Sequence, residues 1–173
     1  MAIVFVRHTP VKVEKGICYG QSDVLPVDNY LDFVPELKLQ LKKYSFYKVY
    51  SSPLLRCKML AQATTDNIIV YDDRLKELNF GDWEMQHWDN IYNNSHQSEK
   101  WFADFVNTKT PNGESFLQQY KRVSNFIDSL DLSKDYLVFT HAGVIRCAMA
   151  YFNGVALTDV FAMDVAYSWP VVF

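Results

Sequence analysis

Apolar and polar positions fall into two alternating rhythms along this chain, and the pattern predicts strands and helices in turn. Residues 2–6 read Ala-Ile-Val-Phe-Val, an uncharged, β-branched run of the kind buried on both faces of a parallel sheet. Residues 29–44 carry Leu31, Val34, Leu37, Leu39 and Leu41 at helical spacing, with Lys42 and Lys43 in the last turn and Pro35 dividing the segment. A second short strand is predicted over 47–50. Ser52 and Pro53 suit the N-cap and first position of a following helix that carries Leu54, Leu55, Met59, Leu60 and Ala63. A third strand is predicted at 68–71. Gly113-Glu114-Ser115 starts an amphipathic helix whose apolar side holds Phe116, Tyr120, Val123, Phe126, Ile127 and Leu130. A fourth strand (136–139) leads into a helix over 143–152, which Gly154 closes. Residues 165–173 read as a last strand, with Pro170 confining its far half to an edge.

Strands alternating with helices predict an α/β fold: three layers, α/β/α, around a mainly parallel central sheet. No break in composition marks a linker, so residues 1–173 are expected to form one domain. Two stretches escape the rhythm. The polar segment 12–28, with Gly16, Gly20 and Pro26, is long for a plain connection and is expected to be a binding loop. Residues 75–88 are irregular and rich in aromatics and run into a polar stretch at 89–100; the region from Trp83 to Trp101 suits either a water-excluding cap or plain core packing.

Composition narrows the classes. A chain of 173 residues, 49% hydrophobic and 21% charged, is long enough to bury a real core and ordinary for a globular protein. The net charge of −3 gives no reason to expect nucleic acid or an anionic membrane as partner, so an anionic ligand must be held by a local cluster of cations. No apolar run approaches a membrane span and no signal peptide is evident, which points to the cytoplasm. Cys18, Cys57 and Cys147 have neither disulfide nor metal spacing and are expected to be reduced; Cys57 and Cys147 are expected to pack in helices. No metal and no cofactor is expected, and a homodimer is left open.

The chemistry sits at the strand tips. The first strand stops in Arg7-His8-Thr9-Pro10, the second is followed by Arg56, and the fourth stops in Thr140-His141. In an open α/β sheet, ligands bind beyond the carboxyl ends of the strands. Two arginines offer planar forks matched to phosphate oxygens, and the turn 140–143, entering a helix, adds backbone donors. A neutral imidazole among such cations is a competent nucleophile toward phosphorus. The leaving alkoxide needs a proton, for which Glu77 and Glu84 are the candidates; either is also at home on a surface. His87 and His96 lie in or beside a polar stretch and are expected at the surface.

Five strings, Val6-Arg-His-Thr9, Tyr50-Ser-Ser-Pro-Leu-Leu-Arg56, Leu75-Lys-Glu-Leu-Asn-Phe-Gly-Asp-Trp-Glu84, Pro111-Asn-Gly-Glu-Ser115 and Phe139-Thr-His-Ala-Gly-Val-Ile-Arg146, resemble the histidine phosphatase superfamily, in family order and over most of the chain. The resemblance implies a phosphoglycerate mutase-like fold and metal-independent phosphomonoester chemistry. It makes His8 the phosphorylated nucleophile, Arg7, Arg56 and His141 the phosphate pocket, and Glu77 the proton donor, with Glu84 structural. Two departures are Thr9 and Ala142, where the family commonly has glycine. Gly16-Ile-Cys-Tyr-Gly-Gln-Ser-Asp-Val24 is most similar to the α-ribazole phosphatase branch. That similarity implies a small phosphorylated metabolite as ligand and a role in cobalamin synthesis, with Tyr19, Gly20, Gln21, Ser22, Asp23 and Ala142 as candidates for substrate contact. A broad small-molecule phosphatase, a mutase-type enzyme and a non-catalytic phosphate binder are the alternatives.

Overall fold

A computed structural model describes residues 1–94 and 96–173. Its elements follow in the order β1 (Ile3–Arg7), α1 (Val34–Leu41), β2 (Lys48–Ser51), α2 (Leu55–Thr64), β3 (Ile69–Tyr71), α3 (Trp88–Asn94), α4 (His96–Ala103), α5 (Phe116–Asp128), β4 (Tyr136–Thr140), α6 (Ala142–Asn153), α7 (Leu157–Val160) and β5 (Pro170–Val172). The strands form one sheet in the order β3-β2-β4-β1-β5. All pairings are parallel except β1 with β5, which is antiparallel.

The two-sided burial read from residues 2–6 is the reason β1 lies inside the sheet. Ile3 and Phe5 face a core shared with α5 and α6, including Phe126, Ile127, Val144 and Ile145. Val4 and Val6 face the opposite core, built with Val34, Leu37 and Leu41 of α1 and Leu60 and Ala61 of α2. β4 alternates the same way, Tyr136 and Val138 to one side, Leu137 and Phe139 to the other. Successive side chains of a strand point to opposite faces, so a run without polar residues needs helices on both. This is the three-layer arrangement the rhythm predicts.

Register decides what the sheet presents at its carboxyl edge. Arg7 pairs with Thr140 and Ser51 with Phe139. The ladder continues one residue further, through His8 N to Thr140 O (3.0 Å) and Ser52 N to Phe139 O (2.9 Å). His8, Ser52 and His141 therefore emerge side by side from three adjacent strands.

Three expectations need correction. The helix after β2 starts at Leu55, capped by Leu54, and not at Pro53. Ser52 Oγ still accepts weakly from Leu54 N (3.4 Å), but it also lies 2.8 Å from His141 Nε2, which draws it toward the site. The last strand is limited to Pro170–Val172, because residues 165–168 leave the sheet to engage Arg7. The polar stretch after Trp88 is helical, as α3 and α4. Pro35 behaves as expected: a 3-10 turn at Tyr30–Phe33 precedes α1, with the proline in its first turn. Ser115 and Gln118 form a capping box at the start of α5, and Gly154 ends α6 in the left-handed region (φ 66°). Trp83 and Trp101 belong to a third, smaller core with Cys18, Leu78 and Ile91, so core packing is their role. Among the described residues no helix is long and apolar enough to cross a membrane.

Phe126 is fully buried and its ring stands edge-on to Tyr50 at 5.1 Å. Phe126→Ala is expected to lower the unfolding free energy by about 3–5 kcal/mol through lost burial and a residual cavity. Ile68→Ala, at a position 88% exposed, should change it by less than about 0.5 kcal/mol. Urea denaturation of the two variants checks the contrast.

Candidate active site

The edge where β1, β4 and β2 end gathers most of the expected residues. His8 is 2% exposed, and His141 and Arg56 are fully buried. The rings of His8 and His141 approach to 5.2 Å between centroids at an interplanar angle of 61°. His8 Nδ1 lies 2.6 Å from Thr9 O. A carbonyl only accepts, so Nδ1 carries the proton and Nε2 keeps its lone pair. Burial and the nearby Arg56 and Arg7 charges hold the His8 pKa well below its ordinary 6.5, against the opposing pull of that bond. His141 is lowered in the same way by burial, then by Arg56 and His8. Both rings are neutral at neutral pH. His141 Nε2 is 2.8 Å from Ser52 Oγ and 3.4 Å from Cys57 Sγ.

Arg56 enters on the first turn of α2. Its Nη2 donates to Gly20 O (2.6 Å) and its Nη1 to Ser22 O (2.9 Å), while its Nε has no partner. Arg7 Nη1 donates to Val165 O (2.6 Å), and its Nε is likewise buried and unpartnered. Arg56, fully buried, and Arg7, partly so, each keep a buried Nε without a partner among the described residues, which makes the site ready for an anion. Tyr167 lies on Arg7, 3.6 Å from guanidinium carbon to ring centroid, and Tyr19 lies 5.1 Å from Arg56. Burial, together with the neighbouring Tyr167, pushes Tyr19 up to about 12. Tyr167 also stands 5.7 Å from His8. Tyr167 is thus next to both Arg7 and the imidazole.

The two carboxylate candidates separate cleanly. Glu84 accepts from Gln21 N (2.8 Å), Phe80 N (3.2 Å) and Ser22 Oγ (2.6 Å), which consumes it in holding the loop. Glu77 accepts from Leu78 N (2.9 Å), Gln119 Nε2 (3.0 Å) and Gly143 N (3.3 Å), and it lines the cleft at the site. A side chain at residue 143 would collide with the Glu77 carboxylate and with Gln119, so this glycine permits the acid to reach the start of α6. The cleft measures about 180 Å3, and Arg7, Tyr19, Gly20, Glu77 and Ala142 line it.

Several loop residues expected to touch substrate are spent inside the protein. Gln21 gives its N–H to Glu84 and its side-chain amide to Glu77 O (2.9 Å). Ser22 is bound to Glu84 and Arg56. Asp23 accepts from Leu55 N (2.7 Å), supplying the helix N-terminus with the cap that Ser52 does not. Their work is to fix the loop. Tyr19, Gly20 and Ala142 do reach the cleft. His96 is exposed, whereas His87 is only partly so and sits under Gly16.

Sequence reasoning missed Ser52, Gln119, Arg122 and Tyr167. Arg122 donates to Glu77 O (2.9 Å) and Arg74 O (2.7 Å) and pairs with Glu114 (2.6 Å), anchoring the backbone that carries Glu77. Gln119 left a signal: it is a fully buried amide on the apolar face of α5, in step with Phe116 and Val123. Nothing comparable marked Tyr167.

With this geometry in place, comparison with known proteins gives the lineage. The model of the histidine phosphatase superfamily (branch 1) matches residues 3–168. The chain belongs to that superfamily. It is 29% identical over 158 residues to the adenosylcobalamin/alpha-ribazole phosphatase of Salmonella typhimurium, covering 87% of this chain and 78% of the relative. It is also 29% identical over 169 residues to a Hydrogenobacter thermophilus protein named "Putative phosphoserine phosphatase 2", covering 91% of this chain and 81% of that one. The alpha-ribazole phosphatase structure from Shigella flexneri superposes with a TM-score of 0.89 at 23% identity, over 99% of this chain and 89% of the other. At that identity the likeness concerns the fold, which is phosphoglycerate mutase-like.

The histidines give a pH prediction. Their folded pKa values lie below the unfolded one, so acidification loads protons onto the unfolded chain that the folded chain refuses. Each ring is expected to remove up to about 1.4 kcal/mol of stability per pH unit as pH falls below about 6.5. Urea unfolding between about pH 7 and pH 5 should show this loss, and His8→Asn should make the slope shallower by one proton. An unchanged slope would contradict the neutral, buried ring.

Proposed function

We propose that this protein is a metal-independent phosphomonoesterase that works through a phosphohistidine, with α-ribazole 5′-phosphate as its substrate. The observation that carries the chemistry is the bond from His8 Nδ1 to Thr9 O. It fixes the tautomer that leaves Nε2 basic, on a ring flanked by Arg7 and Arg56.

In the first half-reaction the phosphoryl oxygens replace water on Arg7, Arg56 and His141, and they satisfy the guanidinium N–H groups left without protein partners. The Nε2 lone pair attacks phosphorus, a P–N bond forms and the ester P–O bond breaks. Glu77, protonated, gives its proton to the departing alkoxide. The Nδ1 proton stays on the ring, held by Thr9 O, and disperses the charge of phosphohistidine. In the second half-reaction, water attacks the phosphorus, Glu77 takes its proton, the P–N bond breaks and orthophosphate leaves. Positioning and charge neutralisation supply most of the acceleration. Substitution of glycine by Thr9 leaves this arrangement intact, because the backbone carbonyl, not the side chain, orients the ring. Ala142 heads α6 at the cleft without obstructing Glu77.

Support for the substrate comes from the loop string and from the α-ribazole phosphatase relatives. The cleft also offers Ile17, Phe80 and Trp88 as an apolar lining suited to a flat heterocycle. The small charge surplus is local, and a single phosphoryl group suits it better than a polyanion.

Three measurements test this reading. In chelator, kcat/KM for α-ribazole 5′-phosphate is expected to exceed that for 3-phosphoglycerate, phosphoserine and phenyl phosphate by about tenfold or more; similar values on all would indicate a generalist. Acid-labile label from radioactive substrate should appear on His8 in a rapid quench and be absent in His8→Ala. Gly143→Ala should lower kcat by about tenfold or more with a smaller change in KM, since it displaces the proton donor and not the phosphate pocket.

A further inference from the structure

The chemistry proposed above leaves one cation of the site without a task. Arg146, on α6, lines the cleft together with Arg7, Glu77 and Ala142. It also lines a smaller hollow of about 70 Å3 that includes Glu77, Gln119 and Gly143. Arg146 therefore lines two cavities that Glu77 lines as well. Its Nε donates to Met163 O (3.0 Å) and its plane lies over the Phe161 ring, 5.3 Å from the centroid. These contacts fix the fork in place. Among the described residues neither Nη group has a hydrogen-bond partner and no carboxylate lies within ion-pair distance of the guanidinium. The side chain is half-buried, and desolvation lowers its pKa while the Glu77 and Asp164 charges oppose that.

A fixed, partly desolvated fork beside the acid is placed to meet what the acid protonates, namely the leaving alcohol. We infer that Arg146 selects the alcohol half of the ester, its Nη groups donating to acceptor atoms on the leaving group while Ile17, Phe80 and Trp88 receive its apolar part. The substrates this favours are phosphate esters of ring-bearing, hydroxylated alcohols over simple alkyl or aryl phosphates. The inference rests on the phosphomonoesterase reading but not on the identity of the heterocycle. Acceptors could be ring hydroxyls or a carboxylate, and ribose 5-phosphate and phosphoserine distinguish these sources.

The test compares wild type, Arg146→Met and Arg146→Lys on ribose 5-phosphate, phosphoserine and phenyl phosphate. For Arg146→Met, kcat/KM on ribose 5-phosphate is expected to fall about tenfold or more, chiefly through KM, and on phenyl phosphate by less than about threefold. Arg146→Lys should recover part of the loss. A larger loss on phosphoserine than on ribose 5-phosphate would overturn the hydroxyl preference. Equal losses on all three esters, a shifted pH profile of kcat, or no loss on any would overturn the inference itself. Calorimetric binding separates it from the catalytic reading. Ribose 5-phosphate should bind Arg146→Met at least about fivefold more weakly than wild type, and orthophosphate within about twofold. A wild type inactive on every ester would sink the phosphatase reading, while this difference in binding would still decide for or against Arg146.

Discussion

A fully buried guanidinium without a carboxylate partner is the constraint around which the site is built. Arg56 has no exposed surface, and its two terminal nitrogens are met by the carbonyls of Gly20 and Ser22. Burying a cation costs several kcal/mol, and an ion pair is the usual remedy. Here the carbonyl dipoles stand in for one, which leaves the charge unneutralised for an incoming anion. The carbonyls must then be held in place, and Glu84 does this by accepting from Gln21 N and Ser22 Oγ. Gly20, at φ +37°, accepts the turn, and a side chain there would strike the Glu84 carboxylate. Glu84 thus acts on the loop that holds Arg56 and not on the guanidinium itself.

The same economy of contact recurs at the other groups. His8 is oriented by a main-chain oxygen and Glu77 by two main-chain N–H groups, with Gln119 the side chain that touches its carboxylate. Main-chain partners are fixed by the fold and survive changes of side chain. That is why a threonine at position 9 is accommodated where a glycine is common in the superfamily. Arg122, through Glu77 O and the Glu114 pair, ties the irregular segment after β3 to α5. The backbone that carries Glu77 is therefore anchored to α5.

The sheet and its reactive edge were legible because a strand buried on both faces has a distinctive sequence, and such a strand must end where solvent and ligand begin. Arg7, His8, Arg56 and His141 follow from that reasoning, whereas only the family resemblance separates Glu77 from Glu84. The loop was misread in detail. Gln21, Ser22 and Asp23 are polar and adjacent to the site, but polarity alone does not show whether a group faces a ligand or a buried partner. The start of α2 was misplaced for a similar reason, since Ser52 serves His141 while Asp23, 32 residues earlier than Leu55, caps the helix. Residues 165–168 carry a strand's composition, yet a guanidinium competes for their main chain: Arg7 takes Val165 O, and Ser168 N donates to Arg7 O (2.9 Å). Long-range contacts of this kind leave no local pattern.

The aromatic cover over the site follows from the same charges. With the cations unneutralised, the electron-rich faces of Tyr167 and Tyr19 add to the carbonyls that meet them, at 3.6 and 5.1 Å. Each such contact contributes about 0.5–2 kcal/mol. Charge-assisted hydrogen bonds to a phosphoryl group are individually as strong or stronger, and the pocket offers several at once. Tyr167, which packs on Arg7, also stands 5.7 Å from the ring of His8, which is 2% exposed. The rings therefore occupy the unneutralised side of each guanidinium without neutralising it, and the positive field at the strand tips is preserved beneath them.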